Sequence, residues 1–180
     1  MIEKRCGWCG DNPLYVKYHD EEWGKPVHDD GKLFEFLILE TNQAGLSWIT
    51  VLKKREAMRE AYCGFNPEKV AAFTEEDKRR LMSNPNIIRN GRKIDAAVCN
   101  AKRFLEIQKE FGSFDRYIWG FTDYKQIKNL PEKEFDVPAS TPLSEKISKD
   151  LIGFVGPVIV YSYMQAIGMV NDHVKDCSFA

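Results

Sequence analysis

Two cysteines and two histidines stand at opposite ends of this chain: Cys6 and His19 near the start, His173 and Cys177 near the finish. The sequence contains only three histidines, and two of them belong to this set. The spacing of His173 and Cys177 puts both side chains on one face of a helical or turn-like tail. Two Cys and two His form the tetrahedral ligand set of structural zinc. Ligands taken from both termini would fasten the ends of one domain together, which constrains every fold open to the chain. The same residues would also arise as a buried cysteine and surface histidines that never meet. Cysteine–histidine clusters in a cytosolic chain favour metal or redox roles.

Cys6-Gly7-Trp8-Cys9 offers a competing arrangement, the C-x-x-C spacing of redox dithiols and zinc knuckles. A thioredoxin-like site needs a strand before it and a helix after it. No alternating strand pattern surrounds Cys6, so the redox reading is weak. Cys9 remains open as a replacement for one of the four ligands.

A chain of 180 residues suits a single domain over 1–180, and 43% hydrophobic content supplies a substantial core. No stretch approaches the roughly 20 apolar residues of a membrane-spanning helix. The start is polar from Glu3 onward, which argues against a secretory signal. An odd count of five cysteines fits a reducing cytoplasm. Cys63 and Cys99 fall in helical apolar patterns and are expected to be core thiols. A net charge of −1 does not favour nucleic acid, but local clustering is what counts. Lys53-Lys54-Arg55 and Arg89 with Arg92-Lys93 are two basic clusters, a pattern that solvated helix faces also produce.

Residues 1–25 read as an aromatic loop carrying Trp8, Tyr15, Tyr18 and Trp23. Helical spacing begins at Asp29, with Leu33, Phe34, Leu37 and Ile38 as the stripe and Asp30 as a cap. Ser47 caps a helix whose stripe is Trp48, Val51 and Leu52. Asn66-Pro67-Glu68 and Thr74-Glu75-Glu76-Asp77 open two more, and Ser83–Asn86 breaks the second. A long helix follows near 91–110. Residues 122–141 read as loop, Thr141-Pro142 opens a helix around 143–151, and an apolar helix runs from 157 to 167. No repeat or convincing strand appears, so the expected fold class is all-α.

Three features point to chemistry. Gly153-Phe-Val-Gly156 lies between two helices, where amide N–H groups at a helix N-terminus can cradle a phosphate; an ordinary helix–helix turn has the same composition. Glu40 ends an apolar stripe, and a carboxylate there is costly to bury without a donor or cation; an exposed helix end gives the same pattern more often. Trp8, Tyr15, Tyr18, Trp23 and Trp48 exceed what a covering loop needs, and stacking on a flat base is one explanation.

The runs Arg5–Trp8, Pro13–Gly24, Gln43–Arg55, Ile87–Arg89, Phe154–Gly156, Tyr161–Ala166 and Val170–Val174 make the chain resemble the bacterial DNA-3-methyladenine glycosylase I (Tag) family. The matches span nearly the whole chain. Gln43–Arg55 is the most specific run, and 115–140 matches least. The resemblance implies a helix-hairpin-helix glycosylase fold, with the motif about 143–167 and its hairpin at 151–157. It implies one structural zinc on Cys6, His19, His173 and Cys177, with Cys9 a bystander. It implies a base pocket lined by Glu40, Tyr18 and Trp48, surrounded by Trp8, Tyr15 and Trp23. Glu40 is then the catalytic-site carboxylate, recognising the base rather than activating water. DNA contacts are expected from Gln43, Gly45 and Leu46 and from the hairpin residues Gly153, Phe154, Val155 and Gly156; Gln43 or Leu46 would fill the stack vacated by the flipped base.

Two departures from the wider superfamily refine this. Many relatives carry an aspartate where this chain has Asn171, and bifunctional lyases carry a lysine where it has Val158. The implied activity is monofunctional hydrolysis of the N-glycosidic bond of 3-methyladenine in alkylated double-stranded DNA, by a monomeric cytoplasmic bacterial enzyme with no membrane role. The alternative is a zinc-stapled module that binds damaged DNA without cleaving it.

Overall fold

The structure, a computed structural model, describes residues 3–151 and 155–180. Nine α-helices are present among them: α1 (Pro13–Glu21), α2 (Asp30–Gln43), α3 (Trp48–Ala61), α4 (Pro67–Ala71), α5 (Glu75–Ser83), α6 (Gly91–Phe111), α7 (Phe114–Gly120), α8 (Pro142–Leu151) and α9 (Pro157–Ala166). The all-α expectation holds apart from one small feature. β1 (Ile127–Lys128) and β2 (Val170–Asn171) pair in parallel, two residues each. Strands this short leave no periodicity to detect.

α2 is the axis of the molecule. Ten consecutive residues, Leu33 to Asn42, are buried, so this helix is enclosed on all sides rather than striped. It packs against α3, α6, α7 and α9. Its polar members are absorbed locally: Thr41 Oγ1 donates to the Leu37 carbonyl at 2.7 Å and Asn42 Nδ2 to the Ile38 carbonyl at 2.9 Å. Asp29, not Asp30, is the cap, accepting from the Lys32 amide at 2.8 Å. The Asp30 carboxylate reaches across to the Phe114 and Asp115 amides at 2.9 and 2.8 Å. It thereby satisfies first-turn donors of α7 that would otherwise be orphaned.

Local signals elsewhere act as expected. Asn66 caps α4 ahead of Pro67. Thr74 and Asp77 close a reciprocal capping box on α5. Thr74→Ala should therefore cost about 1 kcal/mol, read as a lower denaturant midpoint at unchanged slope; an unchanged midpoint would show the box to be irrelevant. Ser47 stands at the N-cap of α3 without capping it, its hydroxyl bonding Thr50 Oγ1 at 2.8 Å instead.

Two further expectations fail. Residues 1–25 are not a loop, because Asn12 caps α1 and Pro13 occupies its first turn; this is the same cap-then-proline signal that opens α4. Cys63 and Cys99 are exposed, not core thiols. Cys63 sits in a turn with φ 54°, outside the helical run that its neighbours suggested. The tail after β2 is made of turns, one of the two forms expected for it. Among the described residues no helix is long and apolar enough to cross a membrane.

Gly168 lets the segment after α9 return against the segment after α1. Its φ is 69°, and a Cβ there would lie 2.1 Å from the Lys25 backbone, so no side chain fits. Gly24 N donates to the Gln165 carbonyl and Val27 N to the Ile167 carbonyl across this contact.

Candidate functional site

The aromatic residues of the first quarter converge on one cavity of about 230 Å³. Trp8, Tyr15, Tyr18, Trp23, Glu40, Gln43 and Trp48 line it, together with Glu134, Val137, Ser162, Gln165 and Asp172. α1 delivers Tyr15 and Tyr18 from one face at a spacing of three. The ring of Trp8 packs edge-on to Tyr15 at 5.1 Å and to Trp23 at 4.8 Å. Tyr18 is tilted against Trp48 at 5.2 Å. The rings support one another, which keeps the walls apart around an open volume.

Glu40 is only 3% exposed, and its Oε2 has no hydrogen-bond partner among the described residues. Burial alone pushes its carboxyl up from 4.5 to about 8, because no nearby cation or donor offsets the cost of the charge. Two other lining residues have orphaned polar atoms, the indole N–H groups of Trp8 and Trp48. A protein normally pairs such groups. A cavity with one acceptor and two donors left unpaired, enclosed by flat aromatic walls, is arranged for a planar polar guest.

A buried ion-pair cluster braces the elements behind this cavity. Arg55 on α3 donates to Glu35 on α2 at 2.7 Å and to Glu22, just after α1, at 2.8 Å through both terminal nitrogens. Arg59 adds a 2.6 Å bond to Glu35. Arg55 thus does not belong to a solvated basic face. Lys93 does not either: its ammonium donates to the Asn42 and Ala44 carbonyls at 2.7 Å each, closing the C-terminus of α2. That anchors the turn holding Gly45, whose φ of 76° requires glycine, and Leu46, which is 39% exposed beside the cavity-lining Gln43.

The termini meet on the far side of Trp23. Ligand atoms of Cys6, His19 and Cys177 lie within 4.8 Å of one another, all three residues buried. His173 stands beside this trio, its ring 4.9 Å from that of His19. His19 Nδ1 lies 2.7 Å from Asp20 Oδ1, and His173 Nδ1 lies 2.8 Å from Asn171 Oδ1. Each ring is therefore held at Nδ1 with Nε2 turned inward, the pattern of metal-binding imidazoles; His19 Nε2 lies 3.3 Å from the Cys6 amide and 3.6 Å from Cys177 Sγ. His173 Nε2 is buried and unpartnered. Burial, reinforced by His19, lowers the His173 pKa to about 4 and leaves its imidazole neutral at pH 7. Cys9 stands apart, its thiol donating to the Cys6 carbonyl at 3.1 Å. Lys4 N donates to Ser178 Oγ at 3.0 Å and Ser178 N to the Lys4 carbonyl at 2.8 Å, so the two ends are also tied by backbone.

Gly153 and Phe154 lie outside the described residues. Of the remaining hairpin positions, Val155 is buried and Gly156 is exposed as the N-cap of α9. Gly156 has φ −65° and ψ 162°, ordinary extended angles that do not require glycine. Ser148 Oγ donates to the Val155 carbonyl at 2.6 Å, joining α8 to the turn. Val158 is 54% exposed on the first turn of α9 and presents no nucleophile.

Five lining residues were not foreseen. Ser162 and Gln165 are polar residues three apart in an otherwise apolar helix, a signal that was present. Asp172 follows β2, and Glu134 and Val137 come from the segment that matches relatives least; only the folded chain brings them to the cavity.

A sequence model of the methyladenine glycosylase family matches residues 8–180. The chain is similar to DNA-3-methyladenine glycosylase 1 of Escherichia coli, 46% identical over 178 residues that cover 97% of this chain and 95% of that protein. DNA-3-methyladenine glycosylase of Haemophilus influenzae is 45% identical over 177 residues, 96% of each. Among solved structures, 3-methyladenine DNA glycosylase I from Staphylococcus aureus, studied for its recognition of 3-methyladenine, superposes with a TM-score of 0.93. It is 40% identical, covering 97% of this chain and 95% of that one. Near-complete coverage in both directions, at this identity and with one shared helical fold, places the chain in the methyladenine glycosylase family.

Proposed function

We propose that this protein excises 3-methyladenine from alkylated double-stranded DNA by hydrolysing the N-glycosidic bond, releasing the free base and leaving an abasic site. The observation that carries the reading is Glu40, a buried carboxylate with no protein partner in an aromatic cavity large enough for one base. A base methylated at this ring position is cationic while attached to the sugar and is already a good leaving group. Discrimination then falls to the pocket. Glu40 accepts from the base or faces its charge, and Tyr18 and Trp48 pack on its faces with a cation–π contribution of roughly 0.5–2 kcal/mol. Trp8, Tyr15 and Trp23 complete the walls. A neutral, unmodified adenine gains less from all of these and keeps a stronger bond.

The base has to leave the duplex to reach such a cavity, at a cost of a few kcal/mol. Leu46, exposed on the braced Gln43–Ser47 turn, or Gln43 fills the vacated stack, with Gly45 against the strand; the 39% exposure of Leu46 supports this. The α8–turn–α9 unit serves as the helix-hairpin-helix, holding a phosphate through backbone amides around Gly156. The whole of 1–180 acts as one monomeric, cytoplasmic glycosylase domain.

Cys6, His19, His173 and Cys177 hold one zinc ion. The orphaned Nε2 of His173 and the Nδ1 bonds of both histidines support this ligand set. Four protein ligands leave no open position, so the ion is structural.

Incubating the protein with methylated duplex DNA and identifying released bases by chromatography tests the activity. Free 3-methyladenine should appear in single turnover without strand cleavage. Binding to the DNA with no base released would establish a non-catalytic module instead.

A further inference from the structure

The cavity contains a second buried carboxylate that the sequence did not reveal. Asn171 occupies the position where wider relatives carry an aspartate, but its side chain is committed elsewhere: Oδ1 accepts from the His173 amide at 3.1 Å and holds His173 Nδ1 at 2.8 Å. Successive residues of an extended segment face opposite sides. Asp172, the next residue, lines the cavity and is 3% exposed.

Asp172 is held by three neutral donors. Its Oδ2 accepts from the Tyr161 hydroxyl at 2.8 Å and from Gln165 Nε2 at 2.7 Å. Its Oδ1 accepts from Asn129 Nδ2 at 2.7 Å. Asn129 Nδ2 also approaches the Tyr161 hydroxyl at 3.3 Å. A carboxylate offers about four lone-pair positions, so one on Oδ1 remains open. The donors come from α9 and from the residue after β1, so the carboxylate is fixed by two separate elements. Glu40 is its opposite: equally buried, with its Oε2 unpartnered among the described residues.

We propose that Asp172 is a catalytic residue, the carboxylate that faces the sugar while Glu40 faces the base. This rests on the glycosylase reading above. When the bond between the anomeric carbon and the base breaks, its electron pair leaves with the base and cancels the ring's positive charge. Positive charge then develops on the anomeric carbon and the sugar's ring oxygen. The fixed negative charge of Asp172 stabilises it without reorganising. Water supplies the electron pair of the new carbon–oxygen bond and releases its proton to solvent, while the open lone pair of Asp172 Oδ1 faces the developing charge. Catalysis in this chain is thus not performed without a second carboxylate; that carboxylate stands one residue beyond the place where relatives carry theirs.

Asp172→Asn keeps size and removes charge. Three quantities decide the matter: single-turnover release from methylated DNA, affinity for free 3-methyladenine by titration, and zinc content. Excision should fall by about 100-fold or more, with free-base affinity within about threefold of wild type and zinc retained. Excision within threefold of wild type overturns the proposal, as does a loss of free-base affinity matching the loss of rate. Should Asp172→Asn fail to fold or lose zinc, Tyr161→Phe removes one donor without touching the charge. It should slow excision by roughly 3- to 10-fold at unchanged free-base affinity, and an unchanged rate overturns the proposal. Wild-type protein that releases no base would sink the glycosylase reading itself, an outcome separate from either variant.

Discussion

Glu40→Gln should make the protein more stable and a poorer binder of the methylated base, with a stability gap that widens as pH rises. Buried without a partner, the Glu40 carboxyl has its pKa raised from 4.5 to about 8. Below 4.5 the group is neutral in folded and unfolded chains alike, and burial of charge costs nothing. Between 4.5 and about 8 the unfolded chain releases the proton while the folded chain keeps it, so wild-type stability falls through this window. Above about 8 both forms are charged and the penalty is constant. Glutamine never ionises and avoids the whole penalty, on the order of 2–5 kcal/mol at pH 9. Urea denaturation at pH 5, 7 and 9 measures the gap between the two proteins. A gap that is flat with pH, or a variant less stable than wild type at pH 9, would show that Glu40 is partnered after all.

The same substitution removes the only group there that can become a charged acceptor: a base bearing positive charge favours the ionised Glu40 carboxyl, which glutamine cannot supply. A hydrogen bond to a charged group contributes about 1.5–3 kcal/mol, so affinity for free 3-methyladenine should drop by roughly 10- to 150-fold, with excision reduced at least as much. Intrinsic fluorescence reports the titration, since four tryptophans are present and three line the cavity. If Glu40→Gln binds the base like wild type while excision disappears, Glu40 acts in the chemistry and not in recognition.

Cys177→Ser should abolish zinc binding and lower the melting temperature by on the order of 10 °C. The cluster of Cys6, His19 and Cys177 is buried, and the Cys6 thiol is pushed up to about 12, first by burial and then by neighbours that include Cys177. Zinc binds the thiolate form and displaces those protons. With one ligand missing, the ion loses its closed tetrahedral shell, and the two termini are left to the Lys4–Ser178 backbone ladder and the Lys4–Asp176 ion pair. The loss is several kcal/mol, which in a chain of 180 residues shifts melting by a few degrees per kcal/mol. Metal analysis should give one zinc per wild-type chain and none in the variant. The loosened cluster lies against Trp23, whose ring is 4.5 Å from His173, so the pocket wall should soften and base affinity fall. A metal-free wild type with full stability and activity would defeat the zinc assignment.

What the sequence determined by itself was local or compositional. Helix starts at Asn66, Thr74 and Pro142 follow from caps and prolines, which act within one turn of chain. The helical spacing of Leu33, Phe34, Leu37 and Ile38 announced α2 but only as a stripe, and the pocket residues Tyr18, Glu40 and Trp48 came from a resemblance that spans nearly the whole chain. Where local signals were masked, the sequence misled. The aromatics of 1–25 hid the Asn12–Pro13 helix start, and an apolar pattern placed Cys63 in a core it does not enter. Only the tertiary structure decided which groups have partners. Arg55 and Lys93 look like members of basic patches, yet they are consumed by carboxylates and carbonyls distant in sequence. Glu40 and Asp172 are both buried acids, but α9 and the residue after β1 bring three donors to Asp172, whereas Glu40 Oε2 has no partner among the described residues. Hydrogen bonding and desolvation depend on what lies within a few ångströms, and sequence distance carries no information about that. The division of work between two carboxylates is therefore a property of the folded cavity.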